Sequence, residues 1–427
     1  MRKNPALMFA ASATIAFAIL AVVLEVTDEG PAKAASPAPA EIARLASAPE
    51  VASALSKVDA SAESLIADWI QIASTPASSG QEESRADLAL RIMRAAGLEG
   101  VRRDGAGNVS GAIPGRDRRA KKVVFMAHMD TVARIGADFT VRRENGRLHA
   151  PGVRDDSSGL AAILAAARLV RESRVVPPVD VLVVASAREE VGLKGAEAFL
   201  ETTGRDVGAF VAVDGYLGQI SYAATAIIWF KMHFKAPGAH TLKSHESPSA
   251  TLAAAKAIEG IYAITVPRAP VDAESWVNVG MMGGGEVPNA QARDAWFTVD
   301  LRSNDPVTTA DLESKVMEAC RRAAAEVGVT FEPETLQRLK GARIEGHRDS
   351  TLVRTAQAVL DHLGWHDVLL TPRGAADSNI AIRMGIPAIA LGVATGDGAH
   401  TPEEFADIGP YFTGVKQLIL LMAAPLY

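Results

Sequence analysis

The stretch Val183-Val184-Ala185-Ser186-Ala187-Arg188-Glu189-Glu190-Val191-Gly192-Leu193, VVASAREEVGL, is an apolar run that stops at two adjacent glutamates. Neighbouring side chains of a strand point to opposite faces, so both carboxylates can serve one site only if the chain leaves the extended conformation there. The form recurs along the sequence. KKVVFMA (121–127) leads into His128-Met129-Asp130, AFVAV (209–213) leads into Asp214, and IPAIALG (386–392) leads towards a Gly-rich loop carrying His400. Helical patterns such as SSGLAAILAAARLVRES lie between these runs. Apolar strands that alternate with helices predict an α/β domain, its central sheet mostly parallel and covered by helices.

From about Gly218 to Gly341 the pattern changes to strand, helix, strand, strand, helix, strand. That βαββαβ order predicts a small ferredoxin-like domain inserted into the larger one. The expected layout is a leader and Ala/Pro-rich linker over 1–40, the α/β domain in two parts over 41–217 and 342–427, and the insert over 218–341.

Bulk properties exclude several classes. The chain has 427 residues, 48% of them hydrophobic and 22% charged, as in an ordinary soluble globular protein. A net charge of −6 leaves no basic footprint for nucleic acid. The single cysteine, Cys320, falls in a helical pattern and excludes an internal disulfide. Any metal must therefore be held by His, Asp and Glu. At the N-terminus, Arg2 and Lys3 precede the uncharged run Ala6 to Leu24 and then PAKAASPAPAE. A positive start, an apolar core and a tether-like linker predict export, with the leader either cleaved or kept as a membrane anchor. The body is then expected outside the cytoplasm, periplasmic, secreted or anchored through residues 6–24.

Ligands of open α/β sheets bind outside the carboxyl ends of the strands, where this chain concentrates its histidines and acids. His128 and Asp130 are spaced i, i+2, and a carboxylate commonly orients a metal-binding imidazole. Asp155 and Asp156 precede a helix that Ser157 or Ser158 is expected to cap. Glu189 and Glu190, Asp214, and His400 complete the set. Singly, each has an ordinary structural reading: a loop histidine, an acidic helix start, a solvated turn. Together, two histidines and several carboxylates are the ligand set for one or two divalent ions, most often zinc. A carboxylate shared between two ions would form a two-metal hydrolytic site.

As a set, HMD, DD before a helix, EEVGLKGA, the later Asp and the final HTPEE resemble the co-catalytic zinc metallopeptidases. That superfamily includes peptidase T, glutamate carboxypeptidase (carboxypeptidase G), aminoacylase, and the acetylornithine and succinyl-diaminopimelate deacylases. The resemblance runs from about Ala60 to the C-terminus and is strongest to peptidase T-like members. It implies a first metal on His128, Asp155 and Asp214, and a second on Asp155, Glu190 and His400. Zinc is the first expectation, with cobalt or manganese as substitutes. It further implies Glu189 as general base on the attacking water, Asp130 as the residue orienting His128, and a cis peptide at Asp155–Asp156. In KAPGAHTLKSHE, His240, preferred over His245, would stabilise the oxyanion and in dimeric members would act across the subunits. Asn289 and Arg302 would contact the substrate, and RGAADSN, with Gly374 and Asp377, resembles the family's Gly-rich segment before the last ligand, which makes Gly374 a further candidate substrate contact. Ser157 stands where many relatives carry lysine. The implied substrates are short peptides, or N-acyl amino acids in the deacylase branch, and the insert would act as lid and dimer contact. A non-catalytic binding module of the same fold is the contrasting reading.

Overall fold

The computed structural model describes residues 39–245 and 247–427. The apolar run 6–24 lies outside the described residues, and among the described residues no helix is long and apolar enough to cross a membrane. A helix at Pro39–Ala46 begins inside the stretch read as linker, and a second, Pro49–Ala60, follows it.

The central sheet has eight strands, in the order Glu99–Arg103, Val109–Ile113, Val181–Ser186, Lys122–His128, Val207–Val213, Ala388–Leu391, Gln219–Ser221 and Leu369–Thr371. Its four middle strands run parallel to their neighbours in that group, and antiparallel pairs join them to the outer strands. The sequence dictates this centre. Val207–Val213 is buried along its whole length and Lys122–His128 after its first residue, as continuous apolar strands must be when helices cover both faces.

The helix Ser157–Glu172 shows how the core sets the site. Its Ala-rich sequence is buried almost throughout, and it packs beside the Lys122–His128 strand and the C-terminal helix Ile408–Ala423. A Cβ at Gly159, in its first turn, would lie 2.2 Å from the Val213 carbonyl oxygen. Glycine therefore lets the helix start approach the strand end that carries Asp214.

Residues 226–339 form the expected βαββαβ unit. Its antiparallel sheet has the order Ser275–Gly284, Asp294–Ser303, Ala226–Lys235, Thr330–Leu339. Buried and open positions alternate along Asp294–Ser303, and the buried face packs on the helices Ala250–Tyr262 and Pro306–Val327 around Phe230, Phe234, Phe297 and Cys320. Asp305 caps the second helix by accepting from Thr308 N at 2.8 Å, and Gly328, at φ 80°, ends it.

A third sheet has no counterpart in the sequence reading. Gly396–Asp397, Phe405–Asp407, Arg147–His149 and Arg142–Glu144 pair in that order. It ties the hairpin that carries His400 to the chain just ahead of Asp155.

Candidate metal centre and active site

Three adjacent parallel strands end side by side. His128 closes one, Glu189 and Glu190 follow Val181–Ser186, and Asp214 follows Val207–Val213. Arg188, at φ 57°, turns the chain out of the strand before the glutamates. The alternation of faces ends there, which is how neighbouring carboxylates come to share a site.

The His128 ring is 2% exposed, and its Nε2 lies 3.1 Å from Asp155 Oδ1. His400 Nε2 lies 3.4 Å from Asp155 Oδ2 and 3.3 Å from Glu190 Oε2. Asp155 therefore meets an imidazole with each oxygen. His128, Asp155 and Glu190 each offer a ligand atom, and these atoms lie within 4.8 Å of one another. Asp214 is anchored by its own N–H to the Leu391 carbonyl at 2.8 Å and stands within reach of the charges of Asp155 and Glu190.

The electrostatics describe a site short of positive charge. Burial, with the Asp155 charge beside it, pushes Asp214 up to about 7, and burial drives Glu189 well above the usual carboxylate range. Hydrogen bonds that His400 donates to the carboxylates of Asp155 and Glu190 hold its imidazole up at about 10. Burial opposes charge on His128, but its contacts with Asp130 and Asp155 outweigh it and raise the imidazole. Asp155 is lowered by the two histidines against its own desolvation. Glu190 Oε1 is buried without a hydrogen-bond partner, an open lone pair of the kind a cation satisfies. The donor set, imidazole and carboxylate with no thiolate, suits a divalent ion such as zinc.

The surrounding residues fix this geometry. Asp156, not Ser157 or Ser158, caps the helix, because its Oδ1 accepts from Gly159 N at 3.2 Å. Its Oδ2 accepts from His128 N at 3.0 Å, and the Asp155–Asp156 peptide is cis. The atom of residue 130 closest to His128 Nδ1 is the backbone oxygen at 2.9 Å, while the carboxylate stands at 3.6 Å. The Asp130 carboxylate instead accepts from Glu189 N at 2.9 Å and Ser79 Oγ at 2.7 Å. It thus locates the base candidate as much as the imidazole.

Four expected residues make no hydrogen bond or ion pair with the cluster among the described residues. His240 is exposed on a two-residue strand beside Ala290, its Nδ1 accepting from Leu242 N, and among the described residues no hydrogen bond or ion pair links it to the cluster. Asn289 lies next to it and accepts through its backbone from Thr241 N. Arg302 points along the open face of the inserted sheet and pairs with Asp300 of its own strand at 3.1 Å. Gly374 is a packing position: its backbone exchanges hydrogen bonds with Thr225, and a Cβ there would lie 2.1 Å from the Ala223 carbonyl.

Two buried residues, Glu404 and Arg154, went unassigned in the sequence, and Asp377 was named there only as part of RGAADSN. Glu404 accepts from the backbone N–H groups of Gly152, Arg154 and Asp155 at 2.7, 2.9 and 2.8 Å. Arg154 donates to the Gly215 carbonyl at 2.8 Å and stacks on Tyr216. Asp377, pushed up to about 6 by burial, accepts from Ser186 Oγ at 2.5 Å. The available signal was position: Glu404 follows His400 within HTPEE, and Arg154 directly precedes Asp155.

A histidine and carboxylate cluster at the carboxyl ends of a parallel sheet, beside a ferredoxin-like insert, defines a metal-dependent hydrolase acting on peptide or amide bonds. The chain belongs to Peptidase family M20/M25/M40, whose profile matches residues 124–424. Solved structures share the fold. Aminopeptidase PepT from Bacillus cereus is 22% identical with a TM-score of 0.72, the match covering 84% of this chain and 98% of that one. A tripeptidase from Staphylococcus aureus is 23% identical with a TM-score of 0.73 and the same coverage, 84% and 98%. A dinuclear metal binding peptidase from Bacillus subtilis is 18% identical with a TM-score of 0.65, covering 86% of this chain and 98% of its own. Comparison with curated protein sequences gave no significant match.

Proposed function

We propose that the protein is an exported two-zinc exopeptidase that hydrolyses amide bonds of short peptides. The observation that carries the reading is Asp155, whose two carboxylate oxygens face His128 and His400 separately. A carboxylate so placed is suited to bridging two ions. His128 and Asp214 would complete one ligand set, and Glu190 and His400 would complete the other. Bound there, the ions supply Lewis acidity that activates water and polarises the scissile carbonyl.

The chain's own residues supply the proton transfers. Glu189 is 7% exposed and held by its backbone to Asp130, which places its carboxylate to take a proton from water and return it to the leaving amine. Asp130 keeps that carboxylate in register with His128. His240 stabilises the oxyanion in this reading, and because it stands apart from the cluster within one chain, it does so on closure of the insert or from a second copy of the chain. Export rests on the leader sequence alone.

The deciding experiment is Glu189→Gln. The variant should bind two equivalents of zinc and lose nearly all turnover of di- and tripeptides; wild-type turnover would remove Glu189 from the role of base. Deacylation of N-acyl amino acids is the second reading, separated from the first by turnover on a matched panel of peptides and acylated amino acids. Cell fractionation tests export, and recovery in the cytoplasmic fraction would refute it.

A further inference from the structure

A cleft of about 850 Å³ is lined by Asp155, Glu190 and His400 of the cluster together with residues of the segment from Thr131 to Arg142. Its charge pattern is not accounted for by the catalytic residues. Arg134 and Arg142 both line it. Neither has a carboxylate within ion-pair distance among the described residues, whereas the nearby Arg143 and Arg147 are engaged by Glu63 and Asp407. The arginines on this segment that lack a protein partner are therefore the two that face the cleft.

The acids of the cleft do not cancel them. Glu404 is turned into the backbone of 152–155, and Asp155 and Glu190 face the histidines. Asp138 alone remains on the wall, and its carboxylate accepts from Thr140 N at 2.8 Å. Between the two arginines Ile135 is 72% exposed, and Val132 beside them is 45% exposed. Guanidinium groups flanked by aliphatic side chains match a carboxylate carried on a short apolar stem, which a guanidinium can hold through paired hydrogen bonds.

We propose that Arg134 and Arg142 are specificity residues that select substrates carrying a carboxylate on the part lying in this cleft. This rests on the hydrolase reading above and adds the substrate class: anionic short peptides. The carboxylate is either an acidic side chain or the free chain terminus, and both offer the same chemistry to the arginines.

The test uses the full zinc-loaded protein and matched peptides that differ only as Glu against Gln, or as free terminal carboxylate against terminal amide. The carboxylate form should be preferred about 2- to 30-fold in kcat/KM, mainly through KM, as expected for contacts to two solvent-exposed arginines. Preference in the first pair identifies a side chain, and in the second a terminus. Arg134→Ala/Arg142→Ala should bring the preferred ratio close to one, and Arg134→Glu/Arg142→Glu should invert it. Arg143→Ala, away from the cleft, should leave it unchanged. The proposal is overturned if wild type treats both pairs alike, or if the double variants keep the preference. Calorimetric binding of the same peptides to Glu189→Gln protein reads the preference without turnover. A preference in binding with no hydrolysis by wild type would refute the hydrolase reading and leave the cleft assignment standing.

Discussion

Replacing Glu404 with glutamine probes how the two ligand loops are held together. The Glu404 carboxylate is 2% exposed; Oε2 accepts from Gly152 N, and Oε1 accepts from Arg154 N and Asp155 N. A glutamine can keep its oxygen on the second pair, but its NH₂ then faces the Gly152 N–H, donor against donor. Burial already holds the Glu404 carboxyl above its ordinary value, even against these backbone donors. Loss of charge should therefore matter less than the lost hydrogen bond and the stranded N–H. A lost charge-assisted bond is worth about 1.5–3 kcal/mol, and about 2 kcal/mol is expected here. Because the loop carries Asp155, part of the loss should appear when cations bind, weakening affinity by up to roughly 30-fold. Cobalt titration, followed by calorimetry and by the visible spectrum of the bound ion, measures this, and urea unfolding of the metal-free protein measures the remainder. Glu404→Asp, which retains the charge on a shorter arm, should fall between the two. The reasoning would be refuted by a Glu404→Gln protein with wild-type cobalt affinity, wild-type spectrum and unchanged unfolding.

Three further outcomes are expected. Gly374→Ala should destabilise the fold by about 1–3 kcal/mol, because the new methyl meets a backbone carbonyl; unchanged thermal stability with only a raised KM would restore Gly374 as a substrate contact. Removing metal with a chelator should lower Tm, and restoring zinc at 100 times its Kd should return about 2.7 kcal/mol of stability; a Tm indifferent to both treatments would argue against the site. Burial pushes the Cys320 thiol up to about 12, so it should stay protonated and unreactive towards a disulfide reagent at pH 8 until urea unfolds the protein; rapid labelling of the native protein would contradict its placement in the core of the insert.

Much of this architecture was legible from local pattern. The buried strands Lys122–His128, Val181–Ser186 and Val207–Val213 are continuous apolar runs, and each ends at the polar residues that form the cluster. The insert was equally readable, because its alternating strands and long helices repeat the periods of 2 and 3.6 that burial imposes. His128, Glu190 and His400 could be proposed from sequence because few histidines are present and each motif follows a strand end. The cap at Asp156 was misread because serine and aspartate are both good caps, and only the tertiary position of His128 N decides between them.

What the sequence determined by itself was the identity of the elements and the chemistry available at their ends, since both follow from local periodicity and residue type. What only the tertiary structure decided was which ends meet. The third sheet pairs Phe405 with His149, more than two hundred residues apart, and so brings His400 to Asp155 and Glu404 to the loop beside it. The same packing left Arg302 with Asp300 and turned Arg134 and Arg142 towards the cleft. Such pairings have no local signature, because the partners of a non-local strand or a buried charge are chosen by the shape of the whole fold.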